Sequence, residues 1–208
     1  MAVDNVYARR YGNAVARVDN VCMVEDEPLR ERLVSVGVDL LEQVGAAHLG
    51  LRVITRAAGV SHGAPRRYFR THNALLAAIA ARGFAELAGR FAAVDAGSAR
   101  ERLARTSAEY IEFAAQRPEM FTLMFRHDLL EGSGENLRSV TLPLFARFAD
   151  LVGAAATPGT MDPRDRAIAL WTNLHGIAAA QANRSLGLIE PGVDIPTLVA
   201  RALEAHLA

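Results

Sequence analysis

From Pro28 to Val44 the apolar residues fall at Leu29, Leu33, Val36, Leu40 and Val44, three or four positions apart. That spacing gathers side chains on one face of an α-helix. The same beat returns at Leu75, Ile79, Phe84, Leu87 and Phe91, ending near Gly97, and at Leu103, Tyr110, Ile111 and Ala114 before Pro118. A last run passes through Leu198, Val199, Leu203 and Leu207. No segment sustains the alternation of a strand, so the expected fold class is all-α. Pro28 suits a first helical turn, where its missing N–H has no partner to lose, and Gly45 stops the first stripe. Asp162, Pro163 and Asp165 announce another helix: a side-chain cap, a tolerated proline and negative charge at the positive end of the dipole. Gly132-Ser133-Gly134 and Thr157-Pro158-Gly159 read as loops. Pro143, within an apolar stretch from Leu137 to Val152, either kinks a helix or marks its start.

Between the first two long stripes lie two short segments, about 50–58 and 61–69, joined by Gly59-Val60. Two short helices about a glycine corner cross steeply, which is the geometry of a helix-turn-helix. Ile54, Val60 and Phe69 are the residues expected to anchor the pair to its neighbours. Ser61 is expected to cap the second short helix, with Pro65 at the edge of its first turn. The start of that helix would present Ser61, His62, Gly63 and Ala64, then Arg66 and Arg67. Small residues allow close approach to a groove, and arginines near a helix N-terminus favour phosphate. The charge pattern agrees. No acidic residue occurs between Glu42 and Glu86, a window holding Arg52, Arg56, Arg66, Arg67, Arg70 and Arg82.

This unevenness is hidden in a formal net charge of zero. Residues 1–94 contain 12 arginines against 9 acidic residues, and residues 95–208 contain 11 against 14. Every basic residue is arginine, whose planar fork of donors suits phosphate oxygens and guanine edges. Hydrophobic residues make up 51% of the chain, enough for a sizeable core. Cys22 is the single cysteine, which excludes an intrachain disulfide and cysteine-rich zinc spacings. No apolar run approaches a membrane span, and charged residues interrupt the first 22 positions where a signal peptide would need an apolar stretch. A cytoplasmic protein without a metal or cofactor is expected. Catalysis is not: Cys22 has no base near it in sequence, no glycine-rich phosphate loop follows a strand, and Glu109 and Glu112 read as a solvent-facing pair. Residues 1–27, before the first stripe, read as an N-terminal extension; Met23 opens a second plausible start, so residues 1–22 read as an upstream extension or as an arginine-bearing arm that touches DNA.

The stretch LGLRVITRAAGVSHGAPRRYFRTHNALLAAIA resembles the DNA-binding domain of TetR-type bacterial transcriptional regulators. VSHGAP looks like one subgroup of that family, and Trp171-Thr172-Asn173-Leu174-His175-Gly176 is similar to the subgroup's W-x-x-x-H-G pattern. The segment from Arg117 to Phe125 resembles its ligand domain as well. The likeness spans about residues 28–205. It implies a homodimer that binds operator DNA and usually represses until a small molecule enters the C-terminal domain. Some positions depart from the family pattern. Gly50 stands where a Ser or Thr cap is frequent, Thr55 replaces a small alanine, and Arg66 occupies a tyrosine position that touches phosphate. Tyr68 replaces a common histidine, and Arg70, His72 and Asn73 replace a frequent Pro-x-Lys-Glu. These changes bear on the operator sequence.

The expected organisation is a helix-turn-helix unit at 28–74 followed by a ligand-binding and dimerisation unit at 75–208. DNA contacts are expected from Arg52, Ser61, His62, Gly63, Ala64, Arg66, Arg67, Tyr68 and His72. Met120, Phe121, Met124 and Phe125, with Phe145, Phe148 and Trp171, form either plain core or an adaptable apolar pocket. His175 sits four residues from Trp171 on one helix face, as a hydrogen-bonded core histidine or, with Asn173, a polar contact to a ligand. Leu174, Ile177, Leu198, Ala202 and Leu203 are expected at an isologous interface built from helices near 163–187 and 195–207. The expected partners are thus double-stranded operator DNA, a second copy of the chain and a small apolar or amphipathic effector, with no membrane. The alternative reading is a helical small-molecule-binding or protein-interaction module with little DNA affinity.

Overall fold

The computed structural model describes residues 28–159 and 161–208; the 1–27 extension lies outside the described residues. Among them the fold is entirely helical, as the apolar spacing requires: α1 Leu29–Val44, α2 Leu51–Ala57, a 3-10 turn Ala64–Arg67, α3 His72–Ala92 and α4 Ala99–Gln116. There follow α5 Pro118–Met124, α6 His127–Leu130, α7 Arg138–Ala155, α8 Pro163–Ala182, α9 Leu186–Ile189 and α10 Ile195–Leu207.

Local chemistry sets most of these boundaries. Ser98 and Glu101 form a reciprocal capping box at the start of α4. Asp162 accepts hydrogen bonds from the Arg164 and Asp165 amides, as its place before Pro163 implies. Thr71 caps α3 through the Ala74 amide. Pro28 stands one position before α1, in extended backbone, and not in the first turn. Helix α7 runs through Pro143 without a break, and α8 ends at Ala182, five residues short of the span expected from sequence.

The largest correction concerns the second arm of the helix-turn-helix. The corner is as expected, with Gly59 at φ +67, which side chains with a Cβ adopt only at a cost. The helix expected over 61–69 is only the four-residue 3-10 turn, and its cap position is Gly63 instead of Ser61. Pro65 has no N–H to donate, so the segment closes with Tyr68 and Phe69 both donating to the Pro65 carbonyl. Ile54 and Phe69 are buried and Val60 packs against the same core.

The long helix α3 is the spine. It packs on α1 at one end and on α5 and α6 along its length, while α4 lies against α7 and α8, and α8 against α10. At Gly37 on α1 an added Cβ would stand 2.4 Å from Ile79 Cδ1 of α3, so the missing side chain is what makes room for Ile79. One polar clasp also joins α1 to α5. A helix beginning with proline still leaves its next two amides free. The Glu42 carboxylate of α1 accepts both, from Glu119 at 3.1 Å and Met120 at 3.0 Å. In return Glu119 Oε2 accepts the Ala46 amide just past the end of α1, at 3.2 Å. Arg117 bridges Glu42 and Glu86 beside them.

Candidate functional site

Two places in this framework assemble the residue types that sequence reasoning singled out. The first is the surface around the 3-10 turn. Arg52 and Arg56 of α2 are exposed, as are Ser61, His62, Gly63, Arg66, Arg67, Tyr68 and Arg70, while Ala64 is half-buried. Pro65 and Phe69, on the inner side of the turn, are buried and fix how the outer side is presented. Thr55 is buried beneath this surface; its hydroxyl donates to the Arg52 carbonyl at 3.2 Å and lies 3.5 Å from His62 Nδ1. The threonine read from sequence as a departure therefore props a histidine of the outer surface.

His72 does not join this surface. It opens α3 half-buried, with Nδ1 buried and unpartnered, and burial holds its pKa low, so the ring stays neutral. Ser61 is exposed but gives its carbonyl, not a capping hydroxyl, to the Ala64 amide. What remains is an exposed patch of arginine guanidinium groups with His62 and Tyr68, and no carboxylate along the sequence from which it is built. Such a patch can hold several phosphate groups at once.

The second place is a pair of adjoining cavities between α3, α4, α7 and α8. The inner one is an apolar chamber of about 140 Å³ walled by Phe84, Phe91, Tyr110, Phe145, Phe148 and Trp171, with Phe125, Leu144 and Leu174 among its other neighbours. A void of this order holds one benzene-sized group. The outer chamber, about 620 Å³, shares Phe84, Phe125, Thr141 and Trp171 with it and opens toward Met124, His127 and the segment 130–138.

Of the residues expected in a pocket, Phe125, Phe145, Phe148 and Trp171 line the inner chamber and Met124 the outer one. Met120 and Phe121 line neither. They are core: Met120 packs against α3 at Gly83, where an added Cβ would meet its Sδ at 2.7 Å, and Phe121 packs among Tyr110, Phe125 and His175. His175 stands behind the wall. It stacks on Trp171 at 5.0 Å, meets Phe125 edge-on at 4.5 Å, and shares a 2.8 Å hydrogen bond through Nδ1 with the Tyr110 hydroxyl. Burial keeps the imidazole uncharged and pushes the Tyr110 hydroxyl well up, so the pair is neutral near pH 7. Asn173 is exposed on the opposite side of α8 and cannot contribute. Sequence reasoning missed Phe84, Leu87 and Phe91 as wall residues, although their spacing on α3 already placed them on one face.

The residues expected at a dimer interface divide. Leu174, Ala202 and Leu203 are buried within one protomer, at 2%, 5% and 8% exposure, and belong to its core. Ile177 and Leu198 are half-buried. The outward stripes are Ile168, Thr172 and Gly176 on α8 and Ala200, Arg201 and Glu204 on α10. Among the described residues no group of three or more His, Cys, Asp and Glu side chains is placed to hold a metal ion, and no helix is long and apolar enough to cross a membrane.

Comparison with known proteins agrees with this architecture. The family model described as "Tetracyclin repressor-like, C-terminal domain" matches residues 103–206. No curated protein matches. Among solved structures, a protein of unknown function from Rhodococcus sp. RHA1 is 26% identical with a TM-score of 0.73, covering 88% of this chain and 96% of that one. The transcriptional regulator FadR from Bacillus subtilis, solved with stearoyl-CoA, is 14% identical with a TM-score of 0.65, covering 86% and 97%. BioQ, solved with its double-stranded DNA operator, is 17% identical with a TM-score of 0.63, covering 88% and 99%. With half of its length matched by the family model and the whole described fold shared, the chain belongs to the tetracyclin repressor-like family.

Proposed function

We propose that the protein is a ligand-responsive transcriptional regulator, a repressor that binds a near-palindromic operator as a homodimer. A small apolar or amphipathic molecule releases it. The observation that carries this reading is the exposed arginine surface of α2 and the 3-10 turn, drawn from a window without a single acidic residue. The two stretches that resemble a subgroup pattern, VSHGAP and Trp171 to Gly176, fall on this surface and at the chamber wall, which supports the same reading. That FadR was solved with stearoyl-CoA and BioQ with its operator supports one DNA site and one effector site in such a fold.

Residues 28–74 carry the DNA contacts in this reading, through Arg52, His62, Gly63, Arg66, Arg67 and Tyr68. Residues 75–208 carry the chambers and the two-fold contact, which the outward stripes of α8 and α10 would make. That places two reading heads about 34–36 Å apart, or a multiple of it, along the duplex. The effector acts by binding more tightly to a dimer whose heads no longer match the half-site spacing, and operator DNA weakens its binding by the same factor.

The brevity of the 3-10 turn favours one second reading, a ligand-binding module with little DNA affinity. Fluorescence anisotropy with duplexes from the chain's own upstream intergenic DNA separates them. A regulator binds with log affinity falling linearly against log salt, steeply enough to mark several phosphate contacts. Absence of binding at low salt leaves the module.

A further inference from the structure

The outer chamber reaches the DNA-reading surface through one side chain. Glu135, which lines that chamber, accepts a hydrogen bond from Arg30 of α1 at 2.6 Å. The Arg30 guanidinium lies over the Phe69 ring, 5.3 Å from its centroid. Phe69 is the buried anchor of the 3-10 turn, and its amide donates to the Pro65 carbonyl at 2.8 Å. Arg66, Arg67 and Tyr68 are displayed from that same turn. Arg30 is steadied from its other side by Glu31, which also meets Arg82 of α3. The segment carrying Glu135 has Gly132 at φ +69 and Gly134 at φ +92, both clear of other atoms at the Cβ position. It therefore changes conformation at small cost.

The inner chamber alone has no such connection. Its walls are packed rings, and it holds only one benzene-sized group. We infer that the effector is a two-ended molecule, one apolar ring in the inner chamber and a chain in the outer one. The chain end acts on DNA binding by displacing Glu135 from Arg30, which loosens the Phe69 anchor of the reading turn. This rests on the reading of the chambers as an effector site. A filled inner chamber stabilises the protein without reaching the turn, whereas an occupied outer chamber reaches it.

Hydrogen–deuterium exchange of the Tyr68 and Phe69 amides tests the relay in the intact protein, with toluene as the short probe and 6-phenylhexanoate as the long one. Glu135→Gln should speed exchange of these two amides about two- to five-fold, the range that a part-exposed ion pair sustains, with the melting temperature nearly unchanged. Toluene should raise the melting temperature and leave the two amides as they were. 6-Phenylhexanoate should speed them in the natural protein and add nothing in the Glu135→Gln variant. Unchanged exchange in Glu135→Gln, or an effect of toluene equal to that of the longer probe, overturns the relay. If neither probe raises the melting temperature, the effector-site reading falls, and the exchange of the Glu135→Gln variant still decides whether the side chain tethers the turn.

Discussion

Helices α3 and α7 are similar in length and in apolar content, yet they are used differently. Ten residues of the 21-residue α3 are buried; of the 18 in α7 only Val152 is. The reason is position. α3 is clasped by α1 on one side and α5 and α6 on another, so nearly every apolar side chain finds a partner. Both helices line the inner chamber, α3 through Phe84, Leu87 and Phe91 and α7 through Phe145 and Phe148, but α7 has its other side at the surface. Leu142 is left 59% exposed at its outer end. Apolar sequence therefore yields a rigid spine where both sides of a helix are occupied, and an adjustable wall where one side is empty.

The contrast can be broken most forcefully at the spine. Leu75→Ala should destabilise the protein by about 2–5 kcal/mol, since it removes a fully buried side chain from a close-packed helix crossing. Phe145→Ala in the wall should cost clearly less, although it deletes more atoms. Urea unfolding of the two variants measures the difference, and equal losses would mean that α7 is as well packed as α3. On the DNA side, replacing Arg66 and Arg67 together by alanine should lower the salt-dependence slope of operator binding by about 2, weakening binding across sequences. An unchanged slope in anisotropy titrations would move the interface elsewhere.

A smaller effect comes from protons. His72, beside the reading turn, and His175, behind the chamber wall, both have pKa values lowered by burial from the ordinary 6.5. The unfolded chain then binds protons before the folded one, so the stability tied to the neutral rings is present above pH 6.5 and is lost as the pH falls below it. Melting curves between pH 7.5 and 5 should show this loss, and a double variant, His72→Gln with His175→Gln, should flatten it. The smallest expected change is Leu144→Phe, which fills part of the inner chamber. It should alter stability by no more than about 1 kcal/mol while abolishing the thermal shift given by toluene. A toluene shift that survives would place the bound ring outside this chamber.

Much of the fold was legible because its signals are local. Spacing alone located α1, α3, α4 and α10, and the Asp162-Pro163 pair marked the start of α8. The four-residue helix α6 carried no sequence signal, since one turn is too short to show a period. The 3-10 turn escaped because Gly63 and Pro65 each have a plausible place in an α-helix, and only their joint effect prevents one. Apolar identity could not tell Leu174 and Leu203, which face their own protomer's core, from residues that face a partner. Nor could it separate Met120 from Met124 one turn later: both press on α3 at Gly83, but only Met124 also reaches a chamber edge. The relation of Glu135 to Arg30 spans more than a hundred positions, and nothing local in either neighbourhood announces it.

The exchange of carboxylates between Glu42 and Glu119 bears on how freely such proteins trade parts. Each helix end is finished by a side chain borrowed from the other unit, at 3.0–3.2 Å. The Glu42 carboxylate acts as an N-cap for α5, a contact worth about 1 kcal/mol. A reading head moved onto a different body would carry Glu42 to a place with no amides to receive it, and would leave the tail of α1 without Glu119. Chimeras joined at the loop after α3 lose all three bonds, because each runs between α1 or a residue just past it and α5. A transplanted segment that carries α1 must therefore run at least to Met120 to keep these bonds.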